Sequence, residues 1–315
     1  MISTAAEVAL LALGVFAVLT ALTALAEGFR ARVPPGRTVP GVETFAARVR
    51  SWWTLAILLA LALLLGRWGV TVLFALFSFV ALREFATLTT KARADHLSLA
   101  LGFFLVLPLQ FLLVALDRPG LFTVLIPVHV FLFLPVLSAL RGSPSRFLAR
   151  VAETQWALMI CVYCASHVPA LLTLDIPAMG DRGVLLIAFL VIAAQGADVL
   201  DVVAGRRWGR TPIAPDLSPR TWEGVGAAVG GAALIGAALA WLTPFGPLGA
   251  MLMAAFAAAT ALAGTIVLAA IKRERGVRDW SHLIPGQGGL LDTSGGVLFA
   301  APLFYHLAAW GWAAP

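Results

Sequence analysis

Ten apolar runs dominate the chain: residues 6–26, 52–66, 69–89, 97–116, 120–140, 154–174, 183–204, 223–242, 246–270 and 289–312. A run of about 20 apolar residues is what a helix needs to cross the hydrocarbon of a bilayer. Only 12% of the residues are charged and 61% are hydrophobic, whereas a soluble domain carries ~25% charge. The reading is an all-α, polytopic transmembrane helical bundle of about ten spans. The second run is short and the seventh carries acids, so these two are the weakest. The first run holds Ala24-Leu25-Ala26, which resembles a signal-cleavage site. Glu7 precedes it and no Lys or Arg does, so the run is read as a retained helix.

Charge orients the bundle. One set of alternate connections holds Arg30, Arg32, Arg37, Arg48 and Arg50, then Lys91 and Arg93, then Arg141, Arg146 and Arg150. The same set continues with Arg206, Arg207, Arg210 and Arg220, and ends with Lys272, Arg273, Arg275 and Arg278. The opposite set holds only Arg67, Arg118 and Arg182. Cytoplasmic loops of membrane proteins carry the Lys and Arg excess, so the first set faces the cytoplasm and both termini face out. The net charge of +6 is thereby explained without nucleic acid. The longest polar connections are residues 30–51, 205–222 and 271–288, and none is long enough for a separate soluble domain. The chain reads as one integral-membrane domain, with a helical part over residues 1–175 and a cytoplasm-facing catalytic part over residues 183–315. Cys161 and Cys164 lie inside an apolar run and read as small packing residues. In the eighth run Gly226 and Gly230 have the G-x-x-x-G spacing that favours close helix packing.

Ionisable groups inside spans are costly and default to functional candidates. Arg83 and Glu84 read as a structural ion pair, and His129 and His167 as partners of backbone carbonyls freed near prolines. Asp198 and Asp201 differ. At i, i+3 they share one helix face with Cβ atoms about 5–6 Å apart. Two carboxylates that close repel unless a cation lies between them or one is protonated. Their helix runs into Gly205, Arg206 and Arg207, and then to Ser218-Pro219-Arg220-Thr221-Trp222-Glu223-Gly224. The plainer reading of the latter segment is helix capping by Ser218 and Thr221 beside an anchoring Arg cluster. A second polar stretch follows the ninth run: Lys272, Arg273 and Arg278-Asp279, then Pro285-Gly286-Gln287-Gly288-Gly289 and the single carboxylate Asp292. Cations suit phosphate oxygens, paired glycines let backbone N–H groups approach a ligand, and a carboxylate at a membrane rim suits a cation. Together these read as a polyphosphate-and-metal site at a membrane surface, and the plainer reading is a positive-inside loop followed by a glycine-rich helix entry.

These two stretches resemble the signatures of the phosphatidate cytidylyltransferases, also called CDP-diacylglycerol synthases. The family's terminal motif is matched by Lys272-Arg273, Arg278-Asp279, Pro285, Gly288-Gly289 and Asp292, and its upstream motif by Asp198, Gly205 and the Ser218 to Gly224 segment. The match departs at Gln287, Thr293, Gly295 and Ala270, and Thr265 stands where the family carries a metal-binding acid. The resemblance implies cytidylyl transfer from CTP to phosphatidate, giving CDP-diacylglycerol and pyrophosphate, in a bacterial-type inner membrane with the site facing the cytoplasm. It further implies Mg²⁺, with room for a second cation. Asp292, Asp198 and Asp201 are then the expected metal ligands, and Asp292, Asp279, Lys272 and Arg273 the catalytic group. Ser218, Arg220, Thr221, Glu223, Arg278, Gly288 and Gly289 would contact nucleotide or lipid phosphates. CTP, phosphatidate and membrane lipids are the expected partners, and a homodimer is compatible with the chain. A CTP-dependent enzyme on another lipid, or an inactive paralogue, is the alternative that the substituted positions keep open.

Overall fold

The computed structural model describes residues 4–34, 37, 39–89, 95–142 and 144–314; Lys91 and Arg93, counted above among the loop cations, lie outside them. Among the described residues the chain forms ten helices and two isolated β-bridges, and no sheet. The helices are α1 (Thr4–Ala31), α2 (Pro40–Leu64), α3 (Gly66–Leu88), α4 (His96–Ala115), α5 (Pro119–Leu140), α6 (Phe147–Thr173), α7 (Gly183–Trp208), α8 (Trp222–Ala238), α9 (Gly246–Glu274) and α10 (Leu290–Trp312). Eight of them are long and apolar enough to cross a membrane. The exceptions are α8, which is short at 17 residues, and α10, whose first two turns include Asp292-Thr293-Ser294-Gly295-Gly296. The protein is an all-α polytopic membrane protein. Apolar side chains such as Leu64, Leu140 and Trp310 point outward and stay 80% or more exposed, as a lipid-facing surface requires.

One boundary differs from the sequence reading. Residues 40–51, taken as part of a polar connection, are the first turns of α2. Pro40 opens the helix, where its missing N–H costs nothing. Arg48 and Arg50 therefore ride on a helix end.

Successive helices run in opposite directions, and ion pairs hold matching ends together. At one end Arg30 of α1 meets Glu43 of α2 at 2.5 Å. At that end Arg150 of α6 also meets Asp95, just before α4, at 2.6 Å with both side chains buried. Arg275 after α9 meets Glu153 of α6 at 2.6 Å. At the opposite end Arg182 reaches Glu7 of α1 at 3.0 Å, and the Ala314 N–H donates to the Asp175 carbonyl. The C-terminal ends of odd-numbered helices and the N-terminal ends of even-numbered helices thus share one face. Both polar stretches lie there.

The prolines of α4, α5 and α6 accompany wider π-turns at Gly102–Val106, Leu125–Val130 and Met159–Cys164. A proline lacks an N–H and crowds the preceding turn, and such a bulge relieves both. His129 Nδ1 lies 3.2 Å from the Val124 carbonyl and His167 Nδ1 2.8 Å from the Tyr163 carbonyl, so both histidines meet backbone as expected. Cys161 and Cys164 are free and buried.

Helices α7 to α10 pack through small residues. An added Cβ on Gly231 would lie 2.5 Å from Leu200, and one on Gly236 2.4 Å from Ala254. Gly224, in the first turn of α8, is as close to α7: an added Cβ there would lie 2.7 Å from Asp201 and 3.1 Å from Gly205. The G-x-x-x-G pair singled out from sequence makes no such contact: nothing lies within 4 Å of a Cβ built on Gly226 or Gly230. Spacing alone does not say which face of a helix its neighbours occupy.

Candidate active site

The site is built on the N-terminus of α10. A helix leaves its first N–H groups without intrahelical partners and carries a partial positive charge there. Two carboxylates meet this need. Glu84, on α3, accepts from the Leu290 N–H at 2.9 Å and the Leu291 N–H at 3.0 Å. It also takes the Ser281 hydroxyl at 2.6 Å. Asp292 reaches back to the Gly289 N–H at 2.8 Å and takes the Trp280 N–H at 2.8 Å. Its other oxygen meets Lys272 Nζ at 2.5 Å. The expected Arg83–Glu84 pair is therefore corrected: Arg83 is exposed, and Glu84, 3% exposed, is turned inward onto the helix end that carries Asp292. Adjacent residues on a helix point to different sides, so the two cannot serve the same surface.

The glycines shape the approach to α10. Gly286 and Gly288 have φ of +75° and +89°, a backbone region that costs other residues strain. Ile284 and Gly288 close this turn with a backbone bridge. The Gly288 N–H is taken by the Ile284 carbonyl and the Gly289 N–H by Asp292. The N–H groups expected to reach phosphates are thus engaged within the chain, and the glycines act by letting Asp292 and Glu84 come close.

Asp198 and Asp201 converge on Arg220. Its guanidinium donates to Asp198 Oδ1 at 2.6 Å and to Asp201 Oδ2 through its other terminal nitrogen. One cation between two carboxylates resolves the repulsion that their spacing creates. The remaining oxygen of Asp201, which is 3% exposed, has no hydrogen-bond partner. Arg220 is aimed by its own loop. Ser218 is buried and its Oγ lies 3.4 Å from the Arg220 N–H, while Thr221 caps α8 by accepting from Gly224 at 3.2 Å. Glu223 folds back to take the Arg210 and Thr211 N–H groups, each at 3.1 Å, and the Thr211 hydroxyl at 2.8 Å. Ser218, Thr221 and Glu223 hold this loop in shape, and Arg220 is the member that faces the acids.

The two halves meet across an open cavity of about 500 Å³. Asp198, Asp201, Ser218, Arg220, Lys272 and Asp292 all line it, together with Thr265 and Trp280. Trp280 is buried and stacks on Phe85 at 5.1 Å. Asp198, Thr265, Asp292 and Thr293 also border a water-sized gap of about 20 Å³, so α7 and α10 bring their acids to one place. Arg273, Arg278, Asp279, Thr221, Glu223, Gly288 and Gly289 are not on the cavity wall; Arg273 and Arg278 are exposed outside it. The wall includes Arg48, which the sequence reading counted only as loop charge, and Arg206, which it placed in the polar run that follows Asp201.

Among the described residues no three His, Cys, Asp or Glu side chains cluster closely enough to enclose a metal. Such a full cage is not what Mg²⁺ demands. It commonly takes one or two carboxylates and completes its shell with waters and substrate phosphate oxygens. Asp198 and Asp201, with an unpartnered oxygen between two helices, match that donor set.

A membrane-embedded bundle with a cation-rich, carboxylate-bearing cavity at one end is the class of protein defined so far. The chain belongs to the cytidylyltransferase family, whose model matches residues 46–310. It is 34% identical over 266 residues to the uncharacterized protein YnbB of Escherichia coli K12, covering 82% of this chain and 85% of that protein. It is 35% identical over 177 residues to the phosphatidate cytidylyltransferase of Mycobacterium bovis, covering 53% of this chain and 52% of that enzyme. It is 36% identical over 126 residues to the phosphatidate cytidylyltransferase of Synechocystis sp., covering 39% and 42%. The chain thus spans about half the length of these two enzymes.

Proposed function

We propose that the protein transfers the cytidylyl group of CTP to phosphatidate, forming CDP-diacylglycerol and pyrophosphate. The observation that carries this reading is the convergence of Lys272–Asp292 and Arg220–Asp198–Asp201 on one cavity at a single end of a membrane bundle. In the reaction an oxygen of the lipid phosphate attacks the α-phosphorus of CTP. The bond from that phosphorus to the β-phosphate bridge breaks, and pyrophosphate leaves with the electron pair. Both reactants are anions, so catalysis amounts to positioning them and cancelling their charge. Lys272, held by Asp292, and Arg220, held by Asp198 and Asp201, supply fixed cations for phosphate oxygens. No general base is needed, because a phosphate monoester is largely ionised near neutral pH. Mg²⁺, held by Asp198 and Asp201 when bound, would add Lewis-acid charge stabilisation, and Asp292 across the cavity would be the carboxylate for a second cation.

The reading is tested by label position. With CTP labelled at the α-phosphate, label should enter the lipid; with CTP labelled at the γ-phosphate, it should not. Lipid labelled only from the γ-position would mean a CTP-dependent lipid kinase and would overturn the proposal.

We further propose ten spans, with both termini outside and the cavity facing the cytoplasm of a bacterial-type inner membrane. The loop charge asymmetry and the alternation of helix ends support this topology. Ser281 is engaged with Glu84, whereas His282 next to it is exposed, so His282→Cys is the better reporter. An impermeant maleimide should label it only after membrane permeabilisation, against the buried Cys161 and Cys164. Labelling in intact cells would refute this orientation.

A further inference from the structure

The carboxylates lining the large cavity already have cations: Asp198 and Asp201 share Arg220, and Asp292 holds Lys272. Two cations on the same wall have no such partner. Arg48 of α2 and Arg206 in the last turn of α7 both line the cavity and are exposed, and neither makes an ion pair with a described carboxylate. Arg48 is not on a loose end. Its carbonyl accepts from Gln287 Nε2 at 3.4 Å, and the neighbouring Ala47 packs so tightly on Gly286 that a Cβ there would lie 2.6 Å away. The first turns of α2 are thus fixed to the glycine turn that leads to Asp292.

We infer that Arg48 and Arg206 form an anion subsite for the phosphate monoester of the lipid substrate. The inference rests on the proposed reaction and adds to it the place where the acceptor headgroup sits. A lipid phosphate and a nucleotide phosphate offer the same oxygens, and the position of α2 selects the lipid. Beyond Arg48 the same helix exposes Ile57, Leu58 and Leu61, so this cavity wall continues into the lipid-facing surface. A headgroup can reach it with its acyl chains still in the bilayer. Guanidinium groups suit the task because their paired N–H groups bind phosphate oxygens bidentately. Two unpaired arginines also supply charge for a dianionic headgroup beside the cations already engaged with Asp198, Asp201 and Asp292.

The test uses the full-length protein in neutral detergent with the double variant Arg48→Gln/Arg206→Gln. Arg207→Gln is the control, because it removes one charge from the same turn at an exposed residue that does not line the cavity. Dioleoyl-phosphatidate should raise the thermal midpoint of wild type and of the control relative to dioleoyl-phosphatidylcholine, and the double variant should lose that rise. Without lipid, all three should melt alike. In turnover, KM for phosphatidate should increase about tenfold for each arginine lost, the scale of a charge-assisted hydrogen bond, with KM for CTP moving less than about twofold. The inference is overturned if only KM for CTP rises, if the control loses the lipid effect as fully as the double variant, or if the double variant behaves as wild type. Wild type stabilised by phosphatidate but forming no CDP-lipid would overturn the reaction and leave the subsite standing.

Discussion

Asp292→Asn should lower turnover by about a hundred- to a thousandfold, equivalent to roughly 3–4 kcal/mol of lost transition-state stabilisation. The substitution keeps the shape and one carbonyl oxygen, which can still accept from the Gly289 and Trp280 N–H groups that Asp292 now holds. It removes the charge opposite Lys272 Nζ and turns an amide toward that ammonium. Lys272 then loses the contact that fixes it on the cavity wall, and the site loses one carboxylate for a divalent cation. Folding should weaken far less than activity, because the helix cap survives. Excess Mg²⁺ should restore part of the rate. Steady-state turnover with saturating CTP and phosphatidate measures this. A variant within about twofold of an active wild type, a difference of only ~0.4 kcal/mol, would remove Asp292 from the mechanism.

Glu84→Ala should be the most destabilising change near the site. It strips the acceptor from two buried backbone N–H groups at the start of α10 and from the Ser281 hydroxyl. A buried donor left without a partner costs about 1–3 kcal/mol, so the loss should exceed roughly 3 kcal/mol in all. Thermal unfolding in detergent should shift down by about 5 °C or more, on the scale of ~2 °C per kcal/mol for a chain of this size. Glu84→Gln, which keeps one carbonyl oxygen, should lose about half as much. Activity should fall in both, because Asp292 sits on the turn that Glu84 anchors. An alanine variant melting within 1 °C of wild type would show that this cap contributes nothing.

How far the sequence could carry these conclusions depended on the range of the interactions involved. Helix number was legible because lipid imposes a length and an apolar composition on each segment separately. The start of α2 was not, because Arg48 and Arg50 in the first turns of a membrane helix look like loop charge. The spacing of Asp198 and Asp201 announced a paired-carboxylate problem, but its solution, Arg220, lies across a loop of its own. Ser218, Thr221 and Glu223 were visible as a motif. Only the folded loop shows that they hold backbone while Arg220 faces the acids. Glu84 was visible as a costly intramembrane acid, yet its partners are about 200 positions away, beyond any local pattern. Gly226 and Gly230 show the reverse case: a local spacing with a known packing use, placed by the fold on a face without neighbours.

A cavity that joins a nucleotide to a lipid must release two products in balance. The most direct measurement is a product balance with purified protein, CTP, Mg²⁺ and phosphatidate in mixed micelles. CDP-diacylglycerol would be quantified by mass spectrometry and pyrophosphate by a coupled assay. Equal molar amounts of the two, absent without phosphatidate and nearly absent with Asp292→Asn, are the predicted result. Binding of CTP and phosphatidate by a wild-type protein that makes neither product would contradict it.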